Sequence, residues 1–354
     1  MTNKERIKDR ITACLLAGAL GDALGYPVEF MQWGRIQDKF GKDGIREPEL
    51  NLGKALVSDD TQMTLFTAEG IIDRARDGAE YDGNKLIAGI YNAYLWWLKT
   101  QGFSGEALPA GESRLASVPE LNCLRAPGNT CLSALMSGKA GAPEKSLNNS
   151  KGCGGVMRTA PLGFVPGGED GAKKALIGGA RAAALTHGHQ LGWIPAGMLS
   201  DIVWRCIYGE QCDLGQIVDS ALEDTAEVFA EYDRTEDLVE LMKRAIWLAK
   251  RPVGGECETA SVDEPALRSI GEGWVGEEAL AVAVYAALRY SDDLEGGLIT
   301  AVNHSGDSDS TGAIAGNILG AYLGMSALPA GWAEKLDVYG AIIDTADRLA
   351  EALS

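Results

Sequence analysis

The chain has 354 residues, more than the usual size of one domain, and 46% of them are hydrophobic against 23% charged, which is ordinary for a globular protein with a large core. The 50 Asp and Glu outnumber the 32 Lys and Arg, giving a formal net charge of −18. Such a surface repels phosphate backbones, which argues against nucleic acid as a general partner. The seven cysteines are widely spaced, so neither a disulfide framework nor a zinc site is expected.

The N-terminal stretch MTNKERIKDRITACLLAGAL lacks the apolar core and the cleavage site of a signal peptide. Charged residues interrupt each apolar run well before about 20 residues, so no membrane span is expected. A reduced, cytoplasmic protein is therefore predicted. Because no linker or low-complexity run marks a boundary, we expect a single domain over residues 1–354, although length alone would suit two.

Apolar residues recur at helical spacing in about a dozen segments, and convincing alternating strands are absent. Polar stretches near 101–128 and 251–273 are expected to be loops. Small residues in ACLLAGALGDALG and GAIAGNILGAYLG indicate helices that pack closely. The prediction is an all-α fold of about a dozen helices, near residues 5–24, 61–77, 84–100, 130–138, 172–187, 191–209, 214–231, 235–250, 276–290, 295–304, 311–324 and 331–353.

In chain order, the first polar feature is Asp22 in GALGDALGYPVEF, followed by a Gly-Tyr-Pro bend and Glu29. Asp22 suits a cap or an ion pair, and an isolated loop Glu is usually solvated. The next feature, Ser58-Asp59-Asp60-Thr61, begins an apolar helical segment. Taken alone it is more readily explained as a helix cap than as a site, because these residue types are favoured caps and acidic first turns complement the helix dipole.

The segment NNSKGCGGVMR contains Gly152, Cys153, Gly154 and Gly155, whose backbone amides could approach an oxyanion. It matches neither nucleotide-binding glycine pattern, and on its own a simple turn is the commoner explanation.

Two further motifs follow. Thr186-His187-Gly188-His189 suggests either a metal or a capping role. Trp274 could stack on a flat ligand, although packing is commoner.

The last motif, His304-Ser305-Gly306-Asp307-Ser308-Asp309-Ser310-Thr311-Gly312, again places carboxylates and hydroxyls before a small, apolar helix. An EF-hand is excluded because Ile318 stands where the bidentate Glu belongs.

If this corner meets the earlier one, four carboxylates gather at one spot and repel one another unless cations neutralise them. Hard oxygen donors without His or Cys suit Mg²⁺ or Mn²⁺, as a pair. The residues concerned are Ser58, Asp59, Asp60, Asp307, Asp309 and Ser310.

These motifs, in this order, resemble the ADP-ribosylglycohydrolase family, the relatives of dinitrogenase reductase-activating glycohydrolase. The resemblance covers nearly the whole chain and is carried by GALGDALG with its following Glu, SDDTQM, PGNTC, KGCGGVMR, THGH, GWVGEEAL and GDSDSTGAIAGNILGAYLG. It implies a compact all-α domain with two divalent metals, Mg²⁺ or Mn²⁺, in a cleft that releases ADP-ribose from a modified side chain.

Carried over by motif, the resemblance implies that the six serines and aspartates named above are the metal ligands. It also implies that Glu29 is the mobile catalytic glutamate and that His187 contacts the ligand. It makes Gly152–Gly155 the segment around the diphosphate and distal ribose. Ser58 and Ser310 stand where Thr is frequent, which keeps the hydroxyl, whereas Cys153 replaces a frequent Asn and puts that contact in doubt.

The expected function is a metal-dependent hydrolase acting on an ADP-ribosylated protein or a small ADP-ribosyl substrate, with arginine as the first linkage and serine as the second. Two alternatives stay open. One is an ADP-ribose-binding or immunity protein that neutralises a transferase, with hydrolysis secondary. The other is a purely structural metal site.

Overall fold

The computed structural model describes residues 2–76, 83–210, 212–251 and 260–353. Helices dominate these residues, which confirms the all-α prediction, and the described sheet is one antiparallel pair of two-residue strands, β1 Leu50–Asn51 and β2 Lys54–Ala55. The fourteen described α-helices are α1 Asn3–Gly25, α2 Trp33–Phe40, α3 Asp59–Arg76, α4 Asn84–Thr100, α5 Asn129–Met136, α6 Gly171–Ala184, α7 Gln190–Tyr208, α8 Leu214–Val228, α9 Thr235–Ala249, α10 Ala260–Ile270, α11 Gly276–Arg289, α12 Leu294–Val302, α13 Ser308–Leu323 and α14 Tyr339–Ala352.

Two of these helices were not predicted. The helix α2 buries only Ile36, so its apolar pattern is too sparse to detect. The expected loop at 251–273 is wrong over α10, whose polar sequence contains Pro265. Hydrogen bonds from another element stabilise α10: the buried Asp263 accepts from the hydroxyls of Tyr285 and Tyr290, in the α11 region, at 2.6 and 2.8 Å.

The last predicted helix begins later than expected, at Tyr339 rather than near 331. The preceding residues form a short 3₁₀ turn, Ala333–Lys335, after Gly331 at φ 75°. A left-handed glycine ends regular helix, so the apolar spacing over 331–338 belongs to turns that pack on the core.

The helices α1 and α13 form the centre of the molecule and touch backbone to backbone. A Cβ atom at Gly21 would lie 2.0 Å from the carbonyl oxygen of Gly312, and one at Gly316 would lie 2.0 Å from that of Ala17. Near the site, a Cβ at Gly25 would lie 2.3 Å from the carbonyl oxygen of Ser308. The small residues therefore bring the end of α1, which carries Asp22, against the start of α13, which carries the second acidic motif.

The region Asn3–Val28 is the described segment that is long and apolar enough to cross a membrane, with a mean hydropathy of 1.4. Within its most apolar window 83% of residues are buried inside the protein. Such burial favours a core helix, because its apolar surface is already covered by α13. The six cysteines that the structure describes are free, and the seventh, Cys257, lies outside the described residues.

Candidate active site

The first acidic corner is held by a carboxylate from another helix. Asp22 of α1 is fully buried and accepts the backbone N–H of Ser58 at 2.9 Å and that of Thr61 at 3.0 Å. Ser58 also accepts the N–H of Asp60 through its Oγ, at 3.2 Å. The start of α3 is thus capped twice, locally by Ser58 and across the core by Asp22, which fixes the direction of its first carboxylates.

The second acidic corner lies at the start of α13. Asp307 is the N-cap and its Oδ1 accepts the N–H of Ser310 at 3.2 Å. The N–H of Asp307 donates to the carbonyl of Glu272 at 2.8 Å. Gly306, the residue before it, lies at φ 126°, a conformation that glycine favours. The loop before α13 is therefore clamped to the loop before α11, which carries Trp274.

Both corners open into one cleft with a volume of about 270 Å³. Glu29 lies at its edge, at the C-cap of the 3₁₀ turn that follows α1. All the site residues expected from the sequence line this cleft except Ser58 and Gly155, which stand directly behind it. The lining set among them is Glu29, Asp59, Asp60, Gly152, Cys153, Gly154, His187, Trp274, Asp307, Asp309 and Ser310.

Burial and neighbouring charges favour the protonated forms of Glu29, Asp59, Asp60 and Asp309. Burial raises the pKa of Asp59 to about 8, and burial together with the charges of Asp307 and Asp59 raises that of Glu29 to about 8. For Asp60 and Asp309, burial and the neighbouring carboxylates raise the pKa well above its usual range. Such perturbed groups gathered in a cleft are typical of a functional site.

The donor set fits a hard cation in its chemistry. Asp60 is 3% exposed, and its Oδ1 atom has no hydrogen-bond partner within the described ranges. Buried carboxylate and hydroxyl oxygens are the donors that Mg²⁺ and Mn²⁺ prefer. Among the described residues, no group of three His, Cys, Asp or Glu side chains is arranged to hold one ion. The residues that would hold a cation are Asp59 and Asp60 at the start of α3 with Asp307 and Asp309 at the start of α13.

The glycine loop forms the opposite wall of the cleft. It is a 3₁₀ turn, Cys153–Gly155, pinned by the N–H of Cys153 donating to the carbonyl of Trp274 at 3.1 Å. A Cβ at Gly155 would lie 2.2 Å from the carbonyl oxygen of Gly192, so only glycine fits there. The Cys153 thiol donates to Oδ2 of Asp307, which joins this wall to the second acidic corner.

His187 faces the loop as a neutral hydrogen-bond donor. Burial, with the charge of Arg158, lowers the pKa of His187 to about 3. Thr186 Oγ1 accepts a hydrogen bond from Nη2 of Arg158 at 2.6 Å and lies 2.9 Å from Nδ1 of His187. The threonine hydroxyl also has a proton to donate to Nδ1, and in that arrangement the proton of the neutral ring lies on Nε2. That atom would lie 3.5 Å from a Cβ at Gly152, facing the cleft wall.

His189 takes the capping alternative. Its Nδ1 accepts the N–H of Leu191 at 3.1 Å, at the start of α7. It lines a separate depression with Lys151 and Glu277, outside the cleft. The two histidines of the motif therefore have different tasks.

Several residues at the cleft were not singled out from the sequence. Gly128 donates its N–H to Oδ2 of Asp59 at 3.1 Å, and Cys131 lines the cleft beside it. Both belong to the PGNTC motif at the start of α5, which contributed to the resemblance although neither residue was given a role. Arg158 is fully buried, with its guanidinium 4.4 Å from the Tyr94 ring, and Phe30 stacks on Trp274 with centroids 5.0 Å apart.

A larger depression of about 690 Å³ lies elsewhere, beside Glu69, Trp96 and Arg348. The carboxylate of Glu69 already has backbone partners, because its Oε1 accepts the N–H groups of Arg114 and Leu115 at 2.9 and 3.1 Å. Arg348 lies 3.7 Å from the same oxygen. These contacts anchor the turn around Arg114 and Leu115 on α3.

Comparisons with known proteins point to one family. The ADP-ribosylglycohydrolase family model matches residues 3–354. The ADP-ribosyl-[dinitrogen reductase] glycohydrolase of Rhodospirillum rubrum is 25% identical over 94% of this chain and 92% of its own length. The human ADP-ribosylhydrolase ARH3 is 26% identical over 60% of each chain.

Among solved structures, one described as an ADP-ribosylglycohydrolase-related protein complex superposes with a TM-score of 0.63. The match covers 99% of this chain and 100% of that one at 22% identity, which shows a shared fold. The family model spans almost every residue, including both acidic corners, the glycine loop and the Glu29 turn. The chain therefore belongs to the ADP-ribosylglycohydrolase family, whose members are glycosidic-bond hydrolases.

Proposed function

We propose that the protein removes ADP-ribose from a modified side chain, with arginine as the preferred linkage and serine as the second, and that two Mg²⁺ or Mn²⁺ ions take part. The observation that carries the proposal is the convergence of two acidic corners and Glu29 on one cleft. Their mutual repulsion in a buried site calls for cations, and a ribose diol offers the oxygens that would complete the shell.

The ions would be held by carboxylates from both helix starts and by two serine hydroxyls. In the bound state they would orient the ribose diol and polarise the substituents of the anomeric carbon. The proposed ligands are Ser58, Asp59 and Asp60 at α3 with Asp307, Asp309 and Ser310 at α13.

Glu29 is the proposed acid/base. It lies at the mouth of the cleft on a turn that is separate from both acidic corners, and burial gives it a pKa of about 8. A carboxyl group with a raised pKa can hold a proton near neutral pH and deliver it to a departing side chain, or accept one from a water.

The diphosphate and distal ribose are assigned to the opposite wall. The glycines of the Gly152–Gly155 loop allow a ligand to approach the backbone closely, and Cys153 and Gly154 line the cleft. His187 adds a neutral N–H donor, which stabilises an anionic oxygen without itself requiring a proton from solvent. In an acidic protein, these donors and the cations would offset the charge of the diphosphate.

The proposed partner is an ADP-ribosylated protein or a small ADP-ribosyl substrate, in the cytoplasm and away from membranes and nucleic acid. The name of the Rhodospirillum rubrum relative points to a modified protein as the substrate of that enzyme. The binding or immunity function is less well supported, because the family is one of hydrolases.

The test is release of ADP-ribose from arginine- and serine-linked peptides with Mg²⁺ or Mn²⁺, followed by chromatography. Glu29→Gln should lower the rate by about a hundredfold to ten-thousandfold. Asp60→Asn combined with Asp309→Asn should abolish both metal binding and release. Glu47→Gln, an exposed glutamate outside the cleft, serves as the matched control.

No release from either linkage by the wild-type protein would overturn the proposal. Unchanged release by the double aspartate variant would equally remove the metal assignment. Protection against a transferase that survives Glu29→Gln would favour the binding function.

A further inference from the structure

The cleft mouth carries an aromatic pair that neither the metals nor the diphosphate wall requires. Phe30 is 69% exposed and stacks on Trp274 with centroids 5.0 Å apart and an angle of 23° between the rings. Besides His187, these are the aromatic side chains among the described residues that line the cleft. With one face on Trp274 and most of its surface open, Phe30 presents its other face to solvent.

The backbone of Phe30 is unusual. It lies at φ 63°, in the left-handed region that large side chains rarely occupy. A strained and exposed apolar residue costs free energy, and such residues concentrate at functional sites. The stack on Trp274 holds the conformation.

Trp274 is fixed in turn from two sides. Its Nε1 donates to Oε2 of Glu272 at 3.2 Å, and its carbonyl accepts the N–H of Cys153 at 3.1 Å. The pair therefore joins the turn of Glu29 to the glycine loop across the mouth of the cleft. Phe30 has a rigid support behind it.

The position along the substrate follows from Glu29. A general acid/base must lie beside the bond between the anomeric carbon and the departing side chain. Phe30 follows Glu29 and lines the same cleft, and on this basis we place the departing side chain beside its ring. The glycine loop and His187 occupy the diphosphate end.

The charge at the mouth favours a cation. The described residues that line the cleft include no Lys or Arg, and the Glu272 carboxylate, which bonds to Trp274, lies beside the aromatic pair. Lys151, next to the glycine loop, is held by Glu277 outside the cleft. A planar cation is attracted to an aromatic face and to nearby carboxylates together.

We propose that Phe30, backed by Trp274 and Glu272, forms the leaving-group subsite that selects the planar, positively charged guanidinium of ADP-ribosyl-arginine over a neutral hydroxyl-linked side chain. The guanidinium stacks on the free face of Phe30. This inference rests on the proposed function and adds the residues that decide the linkage.

The experiment measures binding separately from hydrolysis. Calorimetry with intact arginine- and serine-linked ADP-ribosyl peptides and with free ADP-ribose uses the Glu29→Gln background, so that no substrate is consumed. Adding Phe30→Leu should raise the Kd for the arginine peptide about threefold to thirtyfold relative to the serine peptide. The Kd of free ADP-ribose, which has no guanidinium, should keep its value.

Two further variants make the result specific. Phe30→Tyr retains a ring and should restore the preference for arginine. Leu52→Ala alters an apolar residue that is fully exposed at φ 50° in the β1–β2 hairpin, outside the cleft, and should change none of the three affinities.

Equal losses for all three ligands with Phe30→Leu would overturn the inference, because the ring would then hold the adenosine part or the fold. An unchanged ratio would overturn it as well. Hydrolysis by the Glu29 enzyme is assayed in parallel, so its absence counts against the proposed function and leaves the binding result to decide the subsite.

Discussion

Asp22 on α1 accepts the backbone N–H of Ser58, at the start of α3, with an Oδ1–N distance of 2.9 Å. Both residues are fully buried, and the same carboxylate also accepts the N–H of Thr61. Burial raises the pKa of Asp22 to about 6, and the hydrogen bonds from Thr61 and Ser58 oppose that rise. Asp22 therefore acts as an acceptor near neutral pH and orients the carboxylates that follow Ser58.

The variant Asp22→Asn should lose stability and metal affinity together. Both oxygens of Asp22 accept backbone N–H groups, but an Asn side chain has one oxygen and one NH₂ group. The NH₂ group would therefore face an N–H group that needs an acceptor. We expect a loss of about 1–3 kcal/mol in the free energy of unfolding. Urea unfolding in chelator and titration with Mn²⁺ measure the two effects.

Asp293→Asn is the matched control for this variant. Asp293 caps α12 in an exposed position and accepts the N–H of Gly296 at 3.0 Å, away from the cleft. It should lose at most about 1 kcal/mol and bind Mn²⁺ normally. Wild-type Mn²⁺ affinity in Asp22→Asn would show that Asp22 has no part in orienting the site.

The contact between α1 and α13 predicts a strong effect of a single methyl group. In Gly316→Ala the new Cβ would lie 2.0 Å from the carbonyl oxygen of Ala17, a distance that forces the two helices apart. We expect a loss of about 1–3 kcal/mol or more, because packed backbone cannot yield as a side chain does. Thermal and urea unfolding measure it.

Gly340→Ala provides the comparison. This glycine lies in α14 with no other atom within 4 Å of an added Cβ. Alanine has the higher helix propensity, so stability should stay equal or rise by up to about 1 kcal/mol. Equal stability of both variants would mean that α1 and α13 do not pack as described.

The raised carboxyl pKa values predict an unusual dependence on pH in chelator. The pKa of Asp59 rises from 3.8 to about 8, so between these values the folded protein retains a proton that the unfolded chain has released. Its stabilising contribution is complete below pH 3.8 and is lost as pH rises through about 8. The slope for this one buried group approaches about 1.4 kcal/mol per pH unit.

Divalent cations should reverse this trend. They require the charged carboxylates, so Mg²⁺ or Mn²⁺ should stabilise the protein more at pH 8 than at pH 5. Melting temperatures from pH 5 to 8.5, with chelator or with Mn²⁺, measure both curves. Asp59→Asn should flatten the chelator curve relative to wild type, and identical slopes for the two proteins would contradict the assignment.

The helix class was predictable from the sequence because most helices bury a periodic apolar face. The small residues of α1 and α13 predicted that each helix packs closely, and the structure shows that they pack on each other. The spacing of apolar residues does not predict a helix that is stabilised by polar contacts. The helix α10 shows this, because the hydroxyl of Tyr285 reaches Asp263 from a distant part of the chain.

The cleft shows the same division. The acidic motifs led to the prediction of a metal site, but only the fold shows that Asp22 organises one of them from a different helix. Arg158 ends the quoted KGCGGVMR motif but was given no role, for a similar reason. A buried arginine is meaningful through its partners, and Tyr94 and Thr186 are far from it in sequence. Local motifs therefore predict residues in direct contact with a ligand better than they predict the residues that orient those contacts.

The neutral state of His187 gives the last prediction. Because its pKa is lowered to about 3, the ring does not titrate between pH 5 and 8, and its contribution to ADP-ribose binding should be constant over that range. His187→Leu should raise the Kd of ADP-ribose about tenfold to hundredfold, since a donor to a charged group is lost. His187→Gln, which keeps an N–H donor, should lose less.

The orientation of that ring depends on Arg158 and Thr186. In Thr186→Val the hydroxyl between Nη2 of Arg158 and Nδ1 of His187 disappears, so the proton is no longer directed to Nε2. Nitrogen chemical shifts of the histidine ring should then show the other tautomer, and ADP-ribose binding should weaken. His189→Gln, outside the cleft, should leave the affinity unchanged. A wild-type tautomer in Thr186→Val would show that this hydroxyl does not set the proton position.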